Sequence, residues 1–269
     1  MIKKYIDNNL KRNFSVATIW INGGSDMDSY DKKGINQILC SLITRGCDGF
    51  ENLNLSDYIR SFGAELYHDV FEDGILISIK CLNTYFKELF PLLDLIVNEP
   101  ILSEKQFHLV KKSSINSIKK DKENPFNICF ENWRKIVYAK HPYAFNTLGY
   151  EKDVTNITHE NILTEFKSFK KRKKYMISNN KLINGNYIEL KDKKIVDEKS
   201  SYPINPKSKE HRIICSYSYL NQTIIMLGNQ TCSRKSNEHL PLKILESHLS
   251  YGMSSVLFKL FREKNGITY

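Results

Sequence analysis

Arginine is scarce in this chain. Of 40 basic residues only eight are arginine (Arg12, Arg45, Arg60, Arg134, Arg172, Arg212, Arg234 and Arg262). The formal net charge of +10 at first suggests an acidic partner such as nucleic acid or an anionic membrane surface. Bidentate phosphate and base recognition, however, prefers arginine. With lysine, asparagine and isoleucine all abundant, the charge reads as compositional bias, and nucleic acid is not an expected partner. The six cysteines (Cys40, Cys47, Cys81, Cys129, Cys215 and Cys232) contain no C-x-x-C pair. That argues against a disulfide framework or zinc ribbon and for buried, reduced thiols.

No apolar run reaches the ~18 residues of a membrane span. Residues 89–102 are interrupted by Pro91, Asp94, Asn98, Glu99 and Pro100. Residues 14–21 follow Asp7, Lys11 and Arg12 and read as a strand rather than a secretory signal. A cytoplasmic location without membrane contact is therefore expected. With 12 Gly, 7 Pro and 41% hydrophobic residues, collagen-like and disordered chains are excluded and a sizeable core is available.

What is present is an alternation of strands and helices. Residues 14–22 are β-branched and aromatic and end at Gly23-Gly24-Ser25. Residues 34–45 space Ile35, Ile38, Leu39, Leu42 and Ile43 helically, with Gly46 as a stop. A helix over 56–62, capped by Ser56 and stopped by Gly63, precedes a hairpin of 64–71 and 74–82. Helices follow at 84–97, from the Ser103 cap to 121, at 126–138 and at 158–169, then a strand at 175–178. The basic run 170–174 reads as a solvated face or loop. Residues 190–209, with Pro203 and Pro206, read as a linker between a first domain, 1–189, and a second, 210–269. The second is expected to hold strands at 212–219 and 222–227, helices at 237–250 and 253–264, and a terminal strand from Gly266. An offset of 203 residues places Gly63 on Gly266 and 34–45 on 237–248, which suggests an internal duplication.

The segment Gly34-Ile-Asn-Gln-Ile-Leu-Cys-Ser-Leu-Ile-Thr-Arg-Gly46 resembles the helix that carries the inverted zinc motif H-x-x-E-H in insulinase/pitrilysin-like metallopeptidases, especially the processing-peptidase branch. Trp20-Ile-Asn-Gly-Gly-Ser25 before it, Ile59-Arg-Ser-Phe-Gly-Ala-Glu-Leu66 after it, His141-Pro142 and Leu148-Gly149 agree. The most specific match is Arg262-Glu-Lys-Asn-Gly-Ile-Thr-Tyr269, which keeps the family's R-E-K-x-G-x-x-Y pattern. The resemblance implies α+β architecture: two homologous domains of mostly antiparallel sheet with helices on one face, the second incomplete in this chain.

The family's zinc chemistry needs two histidines at i and i+4, a glutamate between them that activates water, and a later glutamate. The corresponding positions here are Gln37, Cys40, Ser41 and, 76 residues after Ser41, Ser117. None of the ligands is retained, and the seven histidines show no zinc-binding spacing, so no cofactor is expected in this chain and zinc only in a partner. A rebuilt site around His68 or His108 is the alternative for an active endopeptidase. Arg262 and Tyr269 match a pair that in the resembling enzymes holds substrate near the zinc, because both donate hydrogen bonds to a developing oxyanion. The resemblance thus implies an inactive homologue that binds an extended peptide and pairs with an active, zinc-bearing subunit as a heterodimer. A free-standing scaffold is the third reading. A second domain stopping at Tyr269 would expose apolar faces, so a longer chain or a sheet-completing partner is expected.

Overall fold

The computed structural model describes the backbone of residues 4–6 and residues 13–50, 53–180, 223–232 and 236–267. The chain forms two compact units, Met1–Leu227 and Gly228–Tyr269. In the first, five strands make one sheet in the order β1-β5-β2-β4-β3. They are β1 (Lys4–Ile6), β2 (Phe14–Asn22), β3 (Glu65–Val70), β4 (Gly74–Leu82) and β5 (Lys174–Ser178). Only the β1–β5 pair is parallel.

The alternation of β-branched residues sets which face is dry. Ala17, Ile19 and Ile21 of β2 and Ile75, Ile77 and Ile79 of β4 are all fully buried. The register aligns them into rungs, one of which runs Met176, Ile19, Ile77 and ends at His68 on the edge strand. The unit's described α-helices are α1 (Ile35–Ile43), α2 (Leu53–Ser61), α3 (Phe86–Asn98), α4 (Glu104–Asp121), α5 (Pro125–Tyr138), α6 (Glu151–Asn156) and α7 (His159–Lys171). Helix α1 packs on β3, α4 and α7, and α3 on β4 and β2. Ser103 caps α4 by accepting from the Gln106 N–H, as its sequence predicts. Thr158 caps α7 in a reciprocal box with Asn161. Helix α2 begins at Leu53, so Ser56 lies inside it and is not its cap.

Two glycines fix how α1 starts. Gly34 and Gly149 both have left-handed backbones, φ +94° and +78°, and lie back to back. A Cβ on Gly34 would sit 2.5 Å from the Leu148 carbonyl oxygen, and one on Gly149 would overlap the Lys33 carbonyl. No other residue type permits that approach.

The basic run 170–174 is solvated only in part: Lys170 and Lys171 are exposed, but the end of the run turns inward. Lys174 is buried, and its Nζ donates to the Lys170 carbonyl at 2.8 Å, satisfying the end of α7. Burial lowers its pKa to about 8. The Arg172 side chain is only 6% exposed.

In the second unit, α8 (His239–Ser250) is followed by a helical stretch whose last part, Phe258–Lys264, is π-helical. Moved by 203 residues, Leu53–Ser61 falls on the helical residues 256–264. The same shift pairs Gly63 (φ +61°) with Gly266 (+59°) and Gly49 (+78°) with Gly252 (+79°). The left-handed glycines and a helical stretch thus recur at this offset, with Phe258–Lys264 π-helical where Leu53–Ser61 is α-helical.

The strand expected over 222–227 is not formed: residues 223–227 pair with no strand among the described residues, and a strand needs a neighbour for its N–H and C=O groups. Residues 266–267 are likewise not strand. The expected linker 190–209, the strand at 212–219, Cys215 and Tyr269 lie outside the described residues.

The glycine contact is testable by urea unfolding. Gly63→Ala meets no atom within 4 Å and carries only the conformational cost, about 1–2 kcal/mol. Gly149→Ala adds a backbone overlap and should cost more, roughly 3 kcal/mol. Equal losses would show that the Gly34–Gly149 approach does not constrain the fold.

Candidate functional site

Helix α1 is buried around most of its circumference. Ile35, Ile38, Leu39, Cys40, Leu42 and Ile43 are all at most 4% exposed. Only Gln37, Ser41 and, just past the helix, Thr44 are half-exposed, a stripe at i, i+4 and i+7. His68 of β3 faces this stripe. Its Nε2 lies 3.4 Å from Ser41 Oγ and its Nδ1 3.3 Å from Thr44 Oγ1. Thr44 Oγ1 is also 3.2 Å from the carbonyl oxygens of both Cys40 and Ser41. Burial lowers the His68 pKa below its ordinary value; Asp69 opposes that shift and Arg45 adds to it.

The start of α1 is held by a buried polar network. Asp28 accepts from the Gly34 N–H at 2.7 Å, the Asn36 N–H at 3.3 Å and Asn36 Nδ2 at 2.7 Å, satisfying donors that a helix start leaves without intrahelical partners. Asn36 Oδ1 accepts from Arg172 Nη1 at 2.9 Å, which also donates to the Gly23 carbonyl at 2.8 Å. Arg172 Nη2 pairs with Glu165. Lys33 Nζ donates to the Asp28 carbonyl at 2.6 Å and stands 4.6 Å from the centroid of the Phe145 ring. Burial, only partly offset by these donors, pushes the Asp28 carboxyl up to about 6.

The positions aligned with the zinc motif do not fit a zinc ion. Gln37, Ser41 and Ser117 offer neutral oxygens, which are weak ligands. Cys40 is fully buried, and burial pushes its thiol well above the ordinary range, so it presents no thiolate. Ser117 is exposed on α4. Of the histidines considered as replacements, His68 is engaged by Ser41 and Thr44, and His108 is exposed beside Glu104. Among the described residues no group of three or more His, Cys, Asp or Glu side chains is placed to hold a metal ion. Arg262 lies in the second unit with its guanidinium 4.9 Å from the centroid of the Phe258 ring; Tyr269, its expected companion, is outside the described residues. Among the described residues no helix is long and apolar enough to cross a membrane.

Sequence reasoning missed the Asp28–Asn36–Arg172–Glu165 network and the contact of His68 with α1. The signal for His68 was available: in β3 it alternates with Leu66 and Val70, the positions that turn toward the helices. No local signal marked Arg172, whose partners lie 7, 136 and 149 residues away.

Residues 5–151 match the family model described as insulinase (peptidase family M16), and residues 154–269 match the one described as peptidase M16 inactive domain. Among solved structures, a peptidase M16 inactive domain from Pseudomonas fluorescens is similar with a TM-score of 0.73 at 15% identity, over 99% of this chain and 66% of that one. A protease from Helicobacter pylori is similar with a TM-score of 0.78, also at 15% identity, over 97% of this chain and 65% of that one. The chain thus spans about two thirds of the length of these structures. A search of curated proteins returned no match.

The buried carboxyl makes a pH prediction. Asp28 titrates at about 6 in the folded chain, above its ordinary 3.8. A raised folded pKa means that the group's contribution is complete below the ordinary value and is lost as pH rises through about 6. Carbon-13 titration of the Asp28 carboxyl should therefore have its midpoint near 6. The unfolding free energy should fall between pH 4 and 7 more in the wild type than in Asp28→Asn. A carboxyl midpoint below 4 would overturn this account.

Proposed function

The chain belongs to the insulinase family, peptidase family M16, and from that premise we propose that it is a member without zinc-dependent peptidase activity of its own that binds extended peptide and serves an active, zinc-bearing subunit. One observation carries this reading. Helix α1 keeps the apolar packing of a zinc-motif helix while its open face carries Gln37 and Ser41, and Cys40 is turned into the core. Selection for packing alone would retain Ile38, Leu39 and Leu42 and let the ligands go. The match of residues 154–269 to a model described as an inactive domain supports the same reading.

In this proposal the chain's contribution to catalysis is confinement of the peptide and donation of hydrogen bonds from Arg262 and Tyr269 to a carbonyl polarised at the partner's metal. The edge strand β3, beside α1, has no neighbour on its outer side among the described residues and could accept an extended peptide there. The five described cysteines are free thiols, and we place the protein in the reducing cytoplasm. An active endopeptidase with atypical ligands would need a donor set that Gln37, Cys40, Ser41 and Ser117 do not supply.

The test is co-purification of the full chain from its own cells with identification of what it brings down, followed by metal analysis and peptide cleavage assays. An H-x-x-E-H protein of the same family is expected in the complex, with zinc tracking that partner. In the reconstituted pair, Arg262→Ala should lower kcat/KM on the order of 100-fold with zinc content unchanged. Stoichiometric zinc and chelator-sensitive cleavage by this chain alone would refute the proposal; absence of any such partner would leave a free-standing scaffold.

A further inference from the structure

The contacts of His68 favour one tautomer. Thr44 Oγ1 has one proton, and two helix carbonyls, those of Cys40 and Ser41, stand 3.2 Å away to take it. Toward His68 Nδ1, at 3.3 Å, Thr44 can then offer only a lone pair, so Nδ1 carries the ring proton. Nε2 keeps its lone pair and faces Ser41 Oγ at 3.4 Å, so the Ser41 hydroxyl donates. The result is a directed chain from Ser41 O–H to His68 Nε2 and from His68 Nδ1–H to Thr44. This is the arrangement of a hydroxyl nucleophile, a base and a group that orients the base. Gln37, one turn before Ser41 on the half-exposed stripe, adds a side-chain amide, a type of donor that serves oxyanions.

We propose that Ser41 and His68 form a metal-independent acyl-transfer site for activated esters, with Thr44 as a positioning residue. Ser41 Oγ attacks the ester carbonyl carbon while its proton passes to His68 Nε2. The Oγ–C bond forms, the bond from carbon to the leaving oxygen breaks, and that oxygen takes the proton from Nε2. Water then repeats the sequence: a hydroxyl–carbon bond forms, the Oγ–C bond breaks, and Ser41 regains a proton through His68. Ester and water become acid and alcohol, with no oxidant, reductant or metal required.

Several features suit the task. Burial lowers the His68 pKa below its ordinary value and so favours the neutral ring; Asp69 opposes that shift and Arg45 adds to it. Ser41 and His68 are each half-exposed, so a small acyl donor has access to them. The inference needs neither the peptide-binding reading nor a partner, so the two stand or fall separately.

The test uses the full chain in the presence of a chelator and a fluorophosphonate probe, which forms an Oγ–P bond and releases fluoride. One adduct, mapped to Ser41 and absent in Ser41→Ala, is expected. His68→Gln should slow labelling about 100-fold or more. Thr44→Val removes the acceptor that stabilises Nδ1–H in the imidazolium, so the midpoint of the pH–rate profile should move lower while Ser41 remains the labelled residue. A merely structural role for Thr44 would leave that midpoint in place. Labelling of the wild type no faster than of Ser41→Ala, or equal labelling of Ser41 in wild type and His68→Gln, overturns the proposal. Should His68→Gln lose its circular dichroism signal, the wild-type comparison with Ser41→Ala and a rate profile with its midpoint below the ordinary histidine value of 6.5 decide the matter.

Discussion

Water reaches helix α1 along a single narrow stripe, and most of the first unit is arranged to keep it so. The sheet lies beneath it, α4 and α7 flank it, and its first turn is tied by Asp28, Asn36 and Arg172. A helix of nine residues is too short to persist alone. Its geometry is therefore a property of its surroundings, and substitutions along its half-exposed stripe leave its packing intact.

The architecture was legible wherever burial and spacing coincide. The isoleucines of β2 and β4 and the 3.6-residue pattern of α1 each declare which side faces the core, and caps such as Ser103 and Thr158 mark helix starts within a residue. Ser56 misled because a good capping residue three positions into a helix looks the same in sequence as one at its start. The end of the run 170–174 misled for a different reason. Lysine and arginine are ordinarily solvated, and only the folded chain shows that Lys174 meets the carbonyl end of its own preceding helix and that Arg172 meets Glu165. Near Ile225 the difficulty was one of pairing: a β-branched run states a capacity for sheet, and the partner strand decides whether it is used.

The candidate site was legible as a loss before it was legible as a geometry. Counting ligands at Gln37, Cys40, Ser41 and Ser117 required only the motif. Seeing that His68 closes over Ser41 and Thr44 required the register of β3 against β4, which brings residue 68 opposite Ile77 and so to the end of a buried rung. Sequence separation conceals such contacts, and hydrogen-bond direction within them follows from the shared proton of Thr44 rather than from residue identity.

The ties at the start of α1 also set an order in time. Gly149 lies against Gly34, and Arg172 reaches Asn36 and the Gly23 carbonyl across 136 and 149 residues of chain. A ribosome adding ~5–20 residues per second has made α1 many seconds before either tie exists. Helix α1 is thus made well before the residues that secure its start. In the interval its apolar flanks are open to whatever the nascent chain meets.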